Sequence, residues 1–257
     1  MNEDELRFDA RGGAAWLTLD RQASRNSLSP DVIARFHELL DRAEGDDSIR
    51  AVCVTGAGDR VFCSGADLAA AMGSGDPTEG PRLYARLLRR LVTFKKPVVA
   101  RVNGHCMGGG VGLMLACDLA YAREGVRIGT PEVKVGLFPM MVAPLLLRAM
   151  PRKRALELML TAEPIGASEA ERLGLLTRAV PDGELDAVVE KALAAICANA
   201  PVAIRMGRQA IAELEGEALG EAVERLAGRL VDLLATEDAA EGLSAFLEKR
   251  PARWTGR

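Results

Sequence analysis

Residues 103–120 have the sequence NGHCMGGGVGLMLACDLA, in which four glycines fall within the five positions from Gly108 to Gly112. An apolar run follows them directly, and the preceding segment PVVARV (97–102) is typical of a buried strand. Glycine is costly inside a helix and is usually kept where the backbone turns tightly or lies against a ligand. The stretch therefore predicts a strand, a glycine loop and a helix whose first N–H groups meet a ligand. Close packing of helix on strand is the alternative.

The glycine loop does not match the common phosphate-binding motifs. No G-x-G-x-x-G falls in this stretch, the pattern G-x-x-x-x-G-K-[ST] is missing, and no lysine lies close by. Phosphate binding is therefore disfavoured as the reason for the glycines.

A second glycine loop follows another strand, in VTGAGDRVFCSGADLAAA (54–71). Two loops of this kind, each leading into a helix, can direct two backbone N–H groups at a single oxygen. The pair of loops therefore predicts an oxyanion hole made of main chain.

Four segments in this order resemble the enoyl-CoA hydratase/isomerase (crotonase) family: FCSGADL (62–68), NGHCMGGGVGLMLACDLA, IGTPEVKVGLFP (128–139) and FLEKRPARW (246–254). The likeness extends over nearly the whole chain from LTLDR (17–21) onward. It implies a spiral of ββα turns and an acyl-CoA substrate. It also implies that the amides of Ala66 and Gly109 bind the thioester carbonyl, so that an enolate can form there.

Glu132 is the candidate acid–base residue. It follows Pro131 in TPEVKVG (130–136), within an apolar neighbourhood. Enolate chemistry needs a base beside the reacting carbon, and partial desolvation would raise the pKa of this carboxyl toward a useful range. A surface glutamate in a salt bridge is the alternative, and the family resemblance favours the catalytic role.

Gly112 is a departure from the family pattern, because the typical hydratase carries a second glutamate at this position. A site with one carboxylate resembles the Δ3-Δ2-enoyl-CoA isomerase branch, so we expect double-bond isomerisation. Hydration of a 2-enoyl-CoA by Glu132 alone is one alternative, and a non-catalytic acyl-CoA-binding or RNA-binding relative is another. On this interpretation Gly112→Glu would raise hydration, if the backbone tolerates it and the added side chain does not overfill the pocket.

The resemblance also implies the residues that contact the substrate. Arg25, in DRQASRNSLSP (20–30), could pair with a CoA phosphate or form a surface ion pair, and Phe138 and Met140 could shape the acyl pocket or fill the core. His105 has no fixed role in the family and is expected to be structural. The candidate substrate-binding residues are Ser24, Arg25, Ala66, Asp67, Leu68, Gly109, Gly112, Pro131, Phe138, Met140, Phe246 and Lys249.

Composition excludes several classes of protein. The chain has 257 residues, 49% of them hydrophobic, and a net charge of −3, which argues against a nucleic-acid-binding face. The N-terminus is acidic and polar rather than a signal peptide, and no apolar run is long enough to span a membrane. The five cysteines form no C-x-x-C pair, and the two histidines lack metal-ligand spacing. We therefore expect a cytoplasmic enzyme with no metal and no cofactor other than the CoA of its substrate.

The order of elements predicts an α/β fold. A hairpin is expected around Gly12 and Gly13, a helix capped by Ser29 with Pro30 at its first position, and a helix over roughly 81–94. The Gly/Pro/Ser-rich segment 71–81 is expected to be a mobile loop near the binding mouth.

From about residue 140 the pattern is almost purely helical. We expect a spiral core over 1–195, with CoA- and acyl-binding loops, and a helical C-terminal module over 196–257. Wide apolar stripes on the last helices predict that they pack between subunits. The family resemblance implies a homotrimer or a hexamer.

Overall fold

The structure, a computed structural model, describes residues 5–67, 79–214 and 218–257. Its strands form a six-stranded sheet and a four-stranded sheet. The strands are β1 (Leu6–Arg11), β2 (Ala14–Leu19), β3 (Ala51–Gly56), β4 (Val61–Cys63), β5 (Val98–Val102), β6 (His105–Met107), β7 (Leu119–Arg123), β8 (Arg127–Gly129), β9 (Ile165–Gly166) and β10 (Arg178–Val180).

Helices follow the strands through the core and then make up the C-terminal part of the chain. Short 3-10 helices span Gln22–Ser24 and Pro131–Val135. The α-helices are α1 (Pro30–Gly45), α2 (Glu79–Val92), α3 (Gly109–Leu115), α4 (Ala143–Ala149), α5 (Arg152–Thr161), α6 (Ala167–Arg172), α7 (Leu185–Cys197), α8 (Pro201–Ala212), α9 (Leu219–Leu234) and α10 (Glu237–Glu248).

The predicted hairpin and the first helix are confirmed. Strands β1 and β2 pair antiparallel, and Gly12 and Gly13 make the turn with φ of 59° and 77°. Helix α1 begins with Pro30 at its first position, and the Ser29 hydroxyl accepts the Val32 N–H at 3.3 Å.

From β3 to β8, successive strands alternate between the two sheets. The large sheet has the order β1-β2-β3-β5-β7-β10, and the small sheet has the order β4-β6-β8-β9. The turns β3-β4-α2, β5-β6-α3 and β7-β8 each place one strand in each sheet, and the pairs β3–β5–β7 and β4–β6–β8 are parallel. This is the predicted α/β spiral of ββα turns.

Both faces of the large sheet are buried, as is usual for parallel strands. Leu17 and Val54 face the main core with α1 and α2, whereas the alternate residues Trp16 and Cys53 face a second cluster. Helix α7 covers that second face with Leu185, Val189 and Leu193.

One predicted helix boundary differs from the structure. Helix α2 spans Glu79–Val92 rather than 81–94, and the part of the predicted loop at 71–78 lies outside the described residues. The predicted domain boundary at 195/196 falls inside α7, which packs on the large sheet and ends at Cys197. The apolar residues of this helix cover a sheet face, and the division into a core over 1–195 and a module over 196–257 stays a prediction.

Among the described helices, no single one is both long enough and apolar enough to span a membrane. Helices α7 and α8 meet these two requirements only when taken together, and a bend of 101° separates the two.

Candidate active site

Three neighbouring strands of the small sheet deliver the three segments of the candidate site. The loop Ser64–Asp67 follows β4, Gly108 and Gly109 follow β6, and Glu132 follows β8 in the 3-10 helix Pro131–Val135. Because β4, β6 and β8 are parallel neighbours, their carboxyl ends meet at one edge of the sheet. The fold therefore brings together segments that lie far apart in the sequence.

The two glycine loops touch where neither tolerates a side chain. A Cβ on Gly65, whose φ is +94°, would lie 2.6 Å from the Gly109 nitrogen. A Cβ on Gly109 would lie 3.3 Å from the Gly65 Cα and 3.4 Å from the Ala66 nitrogen. The glycines thus allow the Ala66 and Gly109 amides to approach each other.

Among the described residues, neither the Ala66 nor the Gly109 amide has an acceptor in a turn, loop or cap. Gly109 is the first residue of α3, where an amide has no intrahelical partner. The Gly65 carbonyl and the Asp67 N–H, on either side of Ala66, bond instead to Leu28 at 2.8 and 3.1 Å. The flanking bonds hold the first loop and leave its Ala66 donor available to a ligand.

Glu132 lies beside the second loop. The Gly108 N–H donates to the Gly129 carbonyl at 2.8 Å, which ties this loop to the strand that leads to Glu132. One carboxylate oxygen of Glu132 is 3.3 Å from the position that a Cβ on Gly108 would occupy, and the other is buried without a hydrogen-bond partner. Burial raises the pKa of this carboxyl above its ordinary value, as the sequence predicted.

The space beside Gly112 is filled by Tyr84, a residue that the sequence analysis missed. Gly112 is buried, and a Cβ there would collide with the Tyr84 hydroxyl oxygen and lie 3.1 Å from Val142 Cγ2. A glutamate at position 112 would therefore overfill this space and have to displace the phenol. One feature of the sequence could have indicated Tyr84: it carries a polar hydroxyl on the apolar stripe of α2, whose other buried residues are Leu87, Leu88 and Leu91.

The predicted CoA-binding residues near the N-terminus support the first loop. The Arg25 carbonyl accepts the Ser64 N–H at 3.2 Å, while the Arg25 residue itself is exposed. The Ser24 hydroxyl donates to the Arg21 carbonyl at 3.1 Å. The Asp67 carboxylate accepts from the Arg21 guanidinium at 3.1 Å. Leu68 lies outside the described residues.

The predicted acyl-pocket residues differ in burial. Phe138 is partly buried against the main core, whereas Met140 is 66% exposed and fills no core space. Pro131 begins the 3-10 helix that carries Glu132. Phe246, on α10, is 82% exposed, and Lys249 caps that helix with φ of 53°. Within one copy of the chain, Phe246 is therefore directed at solvent.

Other polar groups near the loops have structural roles. His105 accepts the Arg127 N–H at 3.0 Å through Nδ1, which ties β6 to β8. Burial raises the pKa of Cys63 to about 12, so this thiol stays protonated. Among the described residues, no group of three or more His, Cys, Asp or Glu side chains is placed to hold a metal ion.

A cavity of about 410 Å³ lies apart from this site. It borders the residues that precede β3 and β5, and it is lined partly by Arg50, Lys96 and Arg205. None of the residues that line it belongs to the three segments at the carboxyl ends of β4, β6 and β8.

Comparison with known proteins places the chain in a class. The family model described as enoyl-CoA hydratase/isomerase matches residues 9–257, and the chain belongs to this family. The 2,3-dehydroadipyl-CoA hydratase of Escherichia coli is 36% identical over 94% of both chains. The short-chain-enoyl-CoA hydratase of Clostridium acetobutylicum is 32% identical over 97% of both.

A solved structure has the same architecture. The enoyl-CoA hydratase of Bacillus anthracis superposes with a TM-score of 0.93 at 29% identity, covering 98% of this chain and 100% of the other. The crotonase-like fold predicted from the sequence is thus confirmed, and the chain is an enzyme of the hydratase/isomerase family rather than a non-catalytic relative.

Proposed function

We propose that this enzyme isomerises the double bond of an acyl-CoA thioester from the Δ3 to the Δ2 position. One observation carries the proposal: among the described residues of the site, one partly buried carboxylate, Glu132, lies beside the main-chain amides of Ala66 and Gly109, which have no backbone acceptor there. Two donors and one base are the groups needed to form a thioester enolate and to return its proton.

The two amides bind the thioester oxygen. When a proton leaves the carbon next to the carbonyl, negative charge develops on that oxygen, and each preorganised donor contributes about 3 kcal/mol to stabilising it. The glycines of both loops serve this purpose because they let a carbonyl oxygen reach bare backbone.

Glu132 moves the proton. Burial raises the pKa of this carboxyl, which makes the carboxylate a stronger base than an exposed glutamate. It removes a proton from C2 of a 3-enoyl-CoA, the electrons spread into a dienolate, and the same carboxyl returns the proton to C4. The product is the 2-enoyl-CoA. The reaction involves no net redox change, so we expect no cofactor besides the CoA of the substrate.

Hydration of a 2-enoyl-CoA is a second candidate. It is favoured by the names of the relatives, which are mostly hydratases. Hydration requires a water held on the face of the substrate, work that two carboxylates normally share. The geometry favours isomerisation because Gly112 supplies no carboxylate and Tyr84 fills the adjoining space.

Separate assays of the two reactions test the proposal. The purified protein is given 3-hexenoyl-CoA, with formation of the conjugated thioester followed by absorbance, and crotonyl-CoA, with loss of conjugation followed as hydration. We expect migration to be the faster reaction. Fast hydration with no migration would overturn the isomerase assignment and leave the enolate mechanism in place. If the protein catalyses neither reaction and does not exchange the C2 protons of butanoyl-CoA, the enolate mechanism is overturned as well.

We also propose that the enzyme assembles as a homotrimer or as a hexamer. Helix α9 has no buried residue although its apolar side chains form a continuous stripe. A stripe of this kind is stable in water only when another surface covers it. The exposed large apolar residues of α9 and α10 are Leu219, Val223, Leu230, Val231, Leu234, Leu243, Phe246 and Leu247.

In such an assembly Phe246 and Lys249 would serve a neighbouring copy. We propose that Phe246 covers the acyl pocket of the neighbour and that Lys249 reaches its CoA. The exposure of Phe246 supports this arrangement, because the side chain has no covering surface in its own chain.

A further inference from the structure

Tyr84 is a buried phenol between α2 and α3. The residue is 7% exposed, and its hydroxyl donates to the Gly109 carbonyl. Burial raises the pKa of Tyr84 well above its ordinary value, and Cys63, Cys106 and Glu132 raise it further. The phenol therefore keeps its proton and remains a hydrogen-bond donor at physiological pH.

The phenol ring covers two glycines of α3. A Cβ on Gly109 would be 3.4 Å from the Tyr84 Cζ, and a Cβ on Gly112 would be 3.3 Å from the same atom as well as colliding with the hydroxyl. Gly109 and Gly112 lie three residues apart, so they share one face of the helix. That face is closed by Tyr84.

The backbone of Gly108 and Gly109 is held by one contact on each residue. Its carbonyl accepts the Tyr84 hydroxyl, and the preceding Gly108 is held by its N–H bond to Gly129 at 2.8 Å. Glu132 lies on the Gly108 side of this backbone and Tyr84 on the Gly109 side. The free Gly109 N–H lies between these two contacts, in the same peptide plane as the Gly108 carbonyl, which accepts the Val111 N–H at 2.9 Å.

We propose that Tyr84 is a positioning residue for the reaction: it orients the Gly109 amide toward the thioester oxygen and restricts position 112 to glycine. The proposal rests on the proposed function, since it assigns the orienting contact of one enolate-stabilising donor. Tyr84 acts through Gly109 and needs no contact with the substrate. Donors fixed in advance are the ones that stabilise a developing oxyanion, because they do not have to reorient during the reaction.

Tyr84→Phe tests the role of the hydroxyl with the ring retained. We expect kcat for the proton-transfer reaction to fall about 10- to 100-fold, less than the loss expected on deleting a donor, while KM changes less than about 3-fold. Tyr121→Phe is the matched control, because Tyr121 is the chain's other tyrosine, is also buried, and lies in the second core cluster. The control should keep the wild-type kcat.

Two ligands separate a positioning role from loss of structure. Acetoacetyl-CoA ionises to an enolate that carries charge on the thioester oxygen, whereas butanoyl-CoA does not. Tyr84→Phe should weaken binding of the enolate about as much as it lowers kcat and leave butanoyl-CoA binding unchanged. Equal weakening for both ligands, or a kcat equal to wild type, would overturn the proposal. If wild-type protein shows neither double-bond migration nor C2 proton exchange, the proposed function fails instead.

A double substitution tests the restriction at position 112. Gly112→Ala should lower kcat in the wild-type background, because the new methyl group displaces the phenol. In the Tyr84→Phe background, the factor by which Gly112→Ala lowers kcat should be at least several-fold smaller, since the colliding oxygen is gone. Equal effects in the two backgrounds would show that Tyr84 does not set this restriction.

Discussion

Glu132→Gln isolates proton transfer, because the amide keeps the size of the side chain but cannot act as a base. We expect kcat to fall about 100- to 10,000-fold in both migration and C2 exchange, with butanoyl-CoA still bound. Glu163→Gln is the control, since that glutamate is exposed and pairs with Lys134 at 3.2 Å. A Glu132→Gln enzyme with full activity would show that another group moves the proton.

The raised pKa of Glu132 also affects stability. Because the folded-state pKa lies above the unfolded value, the folded protein binds more protons between the two, and stability falls as the pH rises through that window. At pH values above this window Glu132 is ionised, and the desolvation of its carboxylate lowers the free energy of unfolding by its full amount. We therefore expect Glu132→Gln to raise Tm at about pH 7 and to raise it less at about pH 4, where wild-type Glu132 is largely protonated. Thermal unfolding at both pH values, by circular dichroism, measures the difference; an equal gain at both would contradict this explanation.

Individual site residues were predictable to different degrees. Glu132 and the two glycine loops were found because each lies in a short segment whose pattern carries the family resemblance. Tyr84 was not found, because its contacts with Gly109 and Gly112 join residues 25 or more positions apart in the chain. A helical period places it only on a buried face, where an aromatic residue is ordinarily core.

At the scale of elements, the contact between the two loops decides whether both amides can bind one oxygen. Gly65→Ala adds a methyl group 2.6 Å from the Gly109 nitrogen, so we expect a loss of at least about 100-fold in kcat/KM. Gly183→Ala is a matched control because Gly183 has the same φ of +94° and open space around its Cβ position. Kinetics and unfolding of both variants separate the effects: Gly65→Ala should lose more stability, because its methyl group meets backbone, and only Gly65→Ala should lose activity.

The packing of α2 on α3 limits what can be added at Gly112. Gly112→Glu alone should lower all activity, because the side chain must displace Tyr84. Tyr84→Ala opens the space. In that background, Gly112→Glu should give a ratio of hydration to migration at least about 10-fold higher than Gly112→Gln gives. Rates on crotonyl-CoA and 3-hexenoyl-CoA give this ratio. No change between the glutamate and glutamine variants would show that a second carboxylate here does not promote hydration.

Element order could be predicted better than element ends. Alternation of strand and helix patterns predicted the spiral, because each buried strand and each amphipathic helix has its own period. The helical pattern from about residue 140 did not show where one helix ends and the next begins: 143–161 forms two helices, because Pro151 has no N–H to donate to the helix ladder and α5 begins at Arg152.

At the scale of the whole molecule, the exposed stripe on α9 and α10 predicts assembly through these helices. Wild-type protein at micromolar concentration should sediment at three or six times the chain mass of 27.4 kDa. Val231→Glu, on α9, should give monomers, because it would place an unpaired charge in the interface. Val92→Glu, on the exposed part of α2, is the control and should leave the assembly intact.

Phe246→Ala then separates assembly from its contribution to the site. If Phe246 covers the acyl pocket of a neighbour, its loss should raise KM for a long acyl chain about 10-fold while the oligomer persists, since removing a buried aromatic side chain costs a few kcal/mol of apolar contact at most. The same variant should leave KM for crotonyl-CoA nearly unchanged, because a short chain does not reach the cover. Sedimentation and kinetics on the two substrates are measured together. A wild-type monomer that is fully active would contradict both the interface and the shared pocket.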